Sequence, residues 1–207
     1  IFLKNPSSYA NNSNNFEDDE NYDLYGTIKL DSSMPLQKRI DNFTHLLRPI
    51  ASLRYSPNGN SDISTKDVLL NYNNVFSLNR IGTSDQVEGG ESLSLGLEFQ
   101  RKNFEDSNIL DFRIANVLKT KENLKLPSKS KLNKTRSDIF GSLRYDLNNN
   151  LKLGYHFSYD RDFEHANLEG YNVNFNINNI FTNFYYYTTD NDLGKKETIT
   201  NSTVVNV

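Results

Sequence analysis

The sequence predicts an all-β fold, an antiparallel up-and-down meander of about ten strands, of the kind that closes into a transmembrane β-barrel. Three observations predict it. Apolar and polar residues alternate with period two along much of the chain, the connections between the alternating segments are long and short in turn, and the 207 residues hold 12 Tyr and 13 Phe against 1 Met and no Trp. Period-two alternation marks a strand with two unlike faces, and a helical period of about 3.6 drifts off it within one turn. Aromatic residues suit strands and interfacial girdles better than helical cores.

In chain order, residues 1–22 contain a Ser/Asn-rich stretch at 7–15 and an acidic run at 17–20, which predict a loop or poorly ordered segment, and 23–207 reads as part of a C-terminal barrel domain. Weaker strands fall at 23–31, 43–56 and 67–79, and Pro49 inside the second predicts a bulge or local break because it lacks an N–H. Leu93, Leu95, Leu97 and Phe99 then alternate with Ser92, Ser94, Gly96, Glu98 and Gln100, and a weaker strand follows at 108–118. Ile139, Leu143, Tyr145 and Leu147 share a face against Asp138, Ser142, Arg144 and Asp146, with Phe140 out of place on the polar side and Gly141 on the apolar side. The alternation is cleanest at 151–159, where Leu151, Leu153, Tyr155, Phe157 and Tyr159 share one face, and at 171–178, where Tyr171, Val173, Phe175 and Ile177 oppose four asparagines. Strands at 180–189 and 198–206 complete the series, and the start at Ile1 and the last strand cut at Val207 read as a fragment of a longer protein.

Long connections are expected at 32–42, 80–91, 120–136, 161–169 and 190–197, and shorter ones at 57–66, 101–107, 148–150 and 178–179. A soluble sandwich has no reason to place long loops on every second connection, whereas outer-membrane barrels carry short periplasmic turns and longer external loops. The expectation is therefore a partial transmembrane β-barrel of the outer-membrane type. A secreted, adhesin-like β-sandwich stays open at this point, since the polar faces suit bulk water as well as a wet lumen.

Composition excludes several classes. No apolar run approaches the length of a transmembrane helix. The formal net charge of −3 lacks the positive excess of a nucleic-acid binder. A mean hydropathy of −0.69 does not argue against a barrel, because only its lipid-facing half must be apolar. His45, His156 and His165 have no partners at metal-ligand spacing, and neither a phosphate-cradling glycine loop nor a nucleophile elbow is present. No catalytic residue, metal or cofactor is therefore assigned, and the chain reads as a non-enzyme. One charge run stands out, with Lys119, Lys121, Lys125, Lys129, Lys131, Lys134 and Arg136 against the single Glu122. It reads either as a solvated external loop or as a cationic rim for phosphorylated or carboxylated glycolipid head groups.

The stretch 74–90, which contains Asn74-Val75-Phe76-Ser77-Leu78-Asn79-Arg80 and ends in Asp85-Gln86-Val87-Glu88-Gly89-Gly90, leads into the alternating strand that carries Gly96. With the Pro-containing segment Leu47-Arg48-Pro49-Ile50 ahead of it and the hairpin from Ser137 to Tyr159 behind it, this resembles the barrel of the LptD family of lipopolysaccharide-assembly proteins over about 43–159. The resemblance implies transport rather than catalysis, with lipopolysaccharide inserted into the outer leaflet of the bacterial outer membrane. The partners it implies are lipopolysaccharide, the bilayer, a plug lipoprotein of the LptE type, and a periplasmic bridge protein that meets an N-terminal domain outside this chain. A general porin or a plugged outer-membrane receptor shares the strands and the loop parity and remains the rival. Asn79, Arg80, Asp85 and Glu88 are the expected lumen-loop residues. A charged loop inside a barrel is stable only when its ions pair, so Arg80 is expected to pair with Asp85 or Glu88.

Overall fold

The computed structural model describes residues 2–4, 7–8, 21–22, 25–57, 62–65, 68–82, 87–105, 107–128, 131–191 and 194–205. Its strands are β1 (Phe2–Lys4), β2 (Ser7–Ser8), β3 (Asn21–Tyr22), β4 (Tyr25–Ser33), β5 (Leu36–Ile40), β6 (Phe43–Ser56), β7 (Gly90–Lys102), β8 (Asn108–Lys119), β9 (Ile139–Asn148), β10 (Leu151–Tyr159), β11 (Ala166–Ile177), β12 (Ile180–Asn191) and β13 (Gly194–Val205), with no α-helix among the described residues. A single antiparallel sheet runs β1-β4-β6-β7-β8-β9-β10-β11-β12-β13, with β5 pairing β6 off the path and β2 pairing β3 separately. Strands β6, β7 and β8 are 14, 13 and 12 residues long. That exceeds the roughly 9–11 residues a tilted strand needs to cross a membrane.

The two faces of the sheet differ throughout. Ser52 and Arg54 of β6, Ser92, Ser94 and Glu98 of β7, and Asp111 of β8 are buried on one face, while Leu53, Tyr55, Leu95, Leu97, Leu143 and Tyr145 stand exposed on the other. A sandwich would cover the apolar face with a second sheet, and among the described residues nothing lies over it. Polar inside and apolar outside is the arrangement of a barrel wall. The two anomalies of β9 fit this sidedness. Phe140 is fully buried on the inner face, and Gly141 lies opposite Phe157, whose ring covers it, so that a Cβ at Gly141 would fall 2.2 Å from Phe157 Cζ.

Residues 68–79, expected as the later part of a strand at 67–79, form turns instead, and Lys66 and Asp67 lie outside the described residues. The asparagines are the cause. Asn71 Oδ1 accepts from the backbone N–H of Asn73 (2.8 Å) and Asn74 (3.2 Å), and Asn74 Oδ1 accepts from Asn71 N–H (2.8 Å), so side chains take the bonds a ladder would need. Removing this strand joins 57–66 to the following loop and shifts the parity of everything before it. The long connections are 57–89 and 120–138 at one end of the wall, whereas 103–107, 149–150 and 178–179 are short turns at the other. Residues 32–42, expected as a long loop, lie at the short-turn end and are largely consumed by β4 and β5, and of the expected long loop at 190–197, residues 190–191 belong to β12 and 194–197 to β13, with 192–193 outside the described residues.

Pro49 does not break β6, which pairs with β7 in unbroken register from Thr44 to Ser56. The interruption falls on the other neighbour, which changes from β5 to β4 opposite Arg48 and Pro49. Met34 N–H donates to Pro49 O (3.2 Å) at that junction, so the missing N–H faces a place where the ladder has already ended.

Candidate functional site

The two long connections fold back over the polar face and build an apolar core of their own. Ile63, Leu70, Tyr72, Val75 and Ile81 from the first and Leu126 and Leu132 from the second pack against Ala115, Val117 and Phe140 of the wall. Ile63 N–H donates to Lys125 O (2.9 Å) and ties the loops together. Phe76 sits directly on Gly96, where a Cβ would lie 2.5 Å from the ring's Cζ, so glycine is what lets the loop approach the backbone of β7. The second loop continues the ladder of β8, with Lys119 N–H donating to Thr135 O (2.7 Å) and Ser137 N–H to Val117 O (2.9 Å).

Charges fasten this loop block to the wall. Arg80 donates from Nε to Glu88 Oε2 (2.9 Å) and from Nη2 to Glu88 Oε1 (2.8 Å), a bidentate pair, and its remaining bonds go to Ser94 Oγ (2.9 Å) and Ser92 Oγ (2.7 Å) on β7. Lys119 Nζ lies 2.6 Å from Glu88 Oε1, and Arg54 Nη1 lies 3.8 Å from Glu88 Oε2, an ion pair without a hydrogen bond. Arg54 Nε donates instead to Leu78 O (3.0 Å). Arg54, Arg80 and Glu88 are all buried, Glu88 completely. Burial alone would raise the Glu88 carboxyl, but Arg80 first, then Lys119 and Arg54, outweigh it and hold the carboxyl at about 2.

A second tether lies nearer the short-turn end. Tyr72 OH donates to Glu98 Oε1 (2.7 Å), while Arg48 Nε donates to Glu98 Oε2 (2.8 Å) and Arg48 Nη2 also contacts that oxygen. Burial and the Glu98 carboxylate both push the Tyr72 hydroxyl upward, so it remains a donor.

Of the lumen-loop residues read from sequence, the structure brings Arg80 and Glu88 into direct contact, leaves Asn79 half-buried beside Arg80, and has Asp85 outside the described residues together with Thr83, Ser84 and Gln86. The basic run does not act as one patch. Lys119 is turned inward to Glu88, Lys131 Nζ lies 3.8 Å from Asp160 Oδ2, and Lys134 pairs with Glu122 (3.2 Å). Lys121, Lys125 and Arg136 stand exposed, and Lys129 lies outside the described residues. Sequence reading missed Arg54, Ser92, Ser94, Tyr72, Arg48 and Glu98 as members of the site. The signal for most of them was the run of small and charged residues on the polar faces of β6 and β7, which leaves room for a loop and gives it ions to meet. Asp138 was missed too. It is buried and accepts from Asn167 Nδ2 (2.6 Å) and Ser158 Oγ (3.2 Å), linking β9, β10 and β11.

A family model described as LPS transport system D, LptD, matches residues 3–206. No curated protein matches the chain.

Proposed function

The chain belongs to the LptD family of lipopolysaccharide transport proteins of the Gram-negative outer membrane, and on that premise we propose that it forms one wall of a barrel that inserts lipopolysaccharide into the outer leaflet. The observation that carries this reading is the sidedness of the sheet. An apolar outer face matches lipid, and the polar inner face, with the ion-paired loop block standing on it, matches a path for the saccharide part of an amphiphile. Beside the block the same face carries a polar hollow lined by Asp111, Arg113, Arg144, Lys152 and His156, in which Arg113 pairs with Asp111 (2.6 Å) and Arg144 and Lys152 pair with Asp146 (3.0 and 3.4 Å), a wet, hydrogen-bonding surface of mixed charge that suits a saccharide. Lys121, Lys125 and Arg136, exposed at the long-loop end, are the candidates for contact with glycolipid phosphates. A plug lipoprotein of the LptE type and a periplasmic bridge protein complete the proposed partners. A porin or receptor reading has the strands in its favour and no observation beyond them.

Photo-crosslinking tests the path. A benzoylphenylalanine in place of inward-facing His156 should capture lipopolysaccharide in growing cells. The same probe in place of Leu153, outward and towards the short turns, should not. Equal capture at both positions, or none at His156, would overturn the proposal.

A further inference from the structure

A patch of charge at the short-turn end is used by none of this. There β5, β6 and β7 bring Lys38, His45 and Arg101 into one cross-strand row, Lys38 opposite His45 and His45 opposite Arg101. Direct cross-strand neighbours stand about 5 Å apart at Cβ. Two residues further along, the same side of the sheet carries Leu36, Leu47 and Phe99, so the row lies on the apolar face at the border of its apolar band. Aromatic rings support the two inner members. The Arg101 guanidinium carbon lies 3.8 Å from the centroid of the Phe43 ring, and His45 stacks on Phe99 at 6.0 Å. Among the described residues no carboxylate pairs with any of the three; Lys38 is exposed and Arg101 half-buried, so both charges are open to an anion from outside, whereas His45 Nδ1 and Arg101 Nε are covered and belong to the packing of the row. Cations on a lipid-facing wall are tolerated where they reach an anionic interface.

We propose that this row binds the phosphate of an anionic phospholipid in the leaflet on the short-turn side, with the acyl chains lying along Leu47, Leu97 and Phe99. The proposal rests on the barrel reading for its orientation, since short turns face the periplasm and the leaflet there is built of phospholipid. The occupant follows from charge complementarity together with the apolar surface that begins directly beyond the row.

The test is lipid retention by the full-length protein with its native partners, reconstituted in nanodiscs of phosphatidylglycerol and phosphatidylcholine in equal parts and weighed intact by native mass spectrometry. The wild type should retain phosphatidylglycerol in preference, and raising the salt should reduce the preference. The double variant Lys38→Gln with Arg101→Gln should lose about fivefold in preference for each charge removed. Absence of preference in the wild type, or a variant that matches the wild type, overturns the proposal. Should the variant fail to fold, judged by heat-modifiable mobility, the wild-type salt titration decides alone, and a salt-insensitive preference overturns it. Because the readout is lipid retention and not glycolipid export, failure here leaves the transport reading standing.

Discussion

Glu88→Gln is the perturbation that asks most of the loop block. Arg54, Arg80 and Lys119 surround the one carboxylate, with side chains 3%, 1% and 5% exposed against 0% for Glu88. Three cations less one anion already leave two formal positive charges in a buried site, and the amide leaves three. Stranding buried charges by removing their partner costs about 3–5 kcal/mol. The same three cations hold the carboxyl at about 2 instead of 4.5, a preference for the ionised form of the same order, ~3 kcal/mol. The strands stay paired without Glu88, so the loss falls on attachment of the loops. At low protease the cleavage rate of the 57–89 connection follows the open population, and ~3 kcal/mol raises that population about a hundredfold. The assay is the initial rate of loop cleavage in outer-membrane preparations of the full-length protein. Arg80→Met should open the block less, since Lys119 at 2.6 Å still neutralises Glu88 and the positive excess falls. A rate for Glu88→Gln within a few-fold of wild type, or a larger effect for Arg80→Met, would refute this account of the charges.

The other predictions use the same readout or a direct relative of it. Because the folded Glu88 carboxyl lies below its ordinary value, its contribution is complete above about pH 5 and drains as the pH falls towards 2, so acid-protease sensitivity of the loop should climb through that window and the climb should vanish in Glu88→Gln. Gly96→Val puts a Cβ 2.5 Å from Phe76 Cζ and should cost about 1–3 kcal/mol, with part recovered in the double variant with Phe76→Ala; strictly additive effects would mean Phe76 does not seat on Gly96. Asn71→Ala removes an acceptor for two backbone N–H groups and should loosen the 68–79 turns by about 1 kcal/mol per bond lost, seen as faster amide exchange at Asn73 and Asn74. Lys121→Gln with Arg136→Gln should weaken glycolipid retention in low salt and leave it unchanged in high salt; a loss that ignores salt would count against contact through phosphate.

What could be read from the sequence was whatever repeats within a strand. β7, β10 and β11 alternate cleanly because their two faces meet unlike surroundings, the apolar outer side and the polar inner side, the latter shared on β7 with the loop block. The strand expected at 67–79 failed because Leu70, Val75 and Phe76 are apolar for a different reason, packing inside the loop core, while Asn71 and Asn74 spend their side chains on the backbone. The cluster of asparagines was the available warning. β5 was overlooked because every residue of Leu36–Ile40 is exposed, which leaves no face for a pattern to record. The Arg80 and Glu88 contact was legible, being local and demanded by burial. The roles of Arg54 and Lys119 were not, since each meets Glu88 only through the fold of a long loop over the sheet.

The block's attachment has two physically different halves, and the difference bears on how the wall works. Ala115, Val117 and Phe140 offer an apolar patch on an otherwise polar face, and the loop core adheres to it by burial, which is strong but has little directional preference. Towards β7, beside the seat of Phe76 on Gly96, the contact is fixed by one carboxylate, three cations and two serine hydroxyls, an arrangement with donors and acceptors at fixed positions. Shifting the loop along the wall to the next inward pair would exchange Ser92 and Ser94 for Ser94 and Gly96 and leave Arg80 short of an acceptor. Adhesion therefore comes from one side of the block and placement from the other. A wall that passes a large amphiphile needs both, because a loop held by apolar contact alone could slide into the path, and one held by charges alone would detach whenever water reached Glu88.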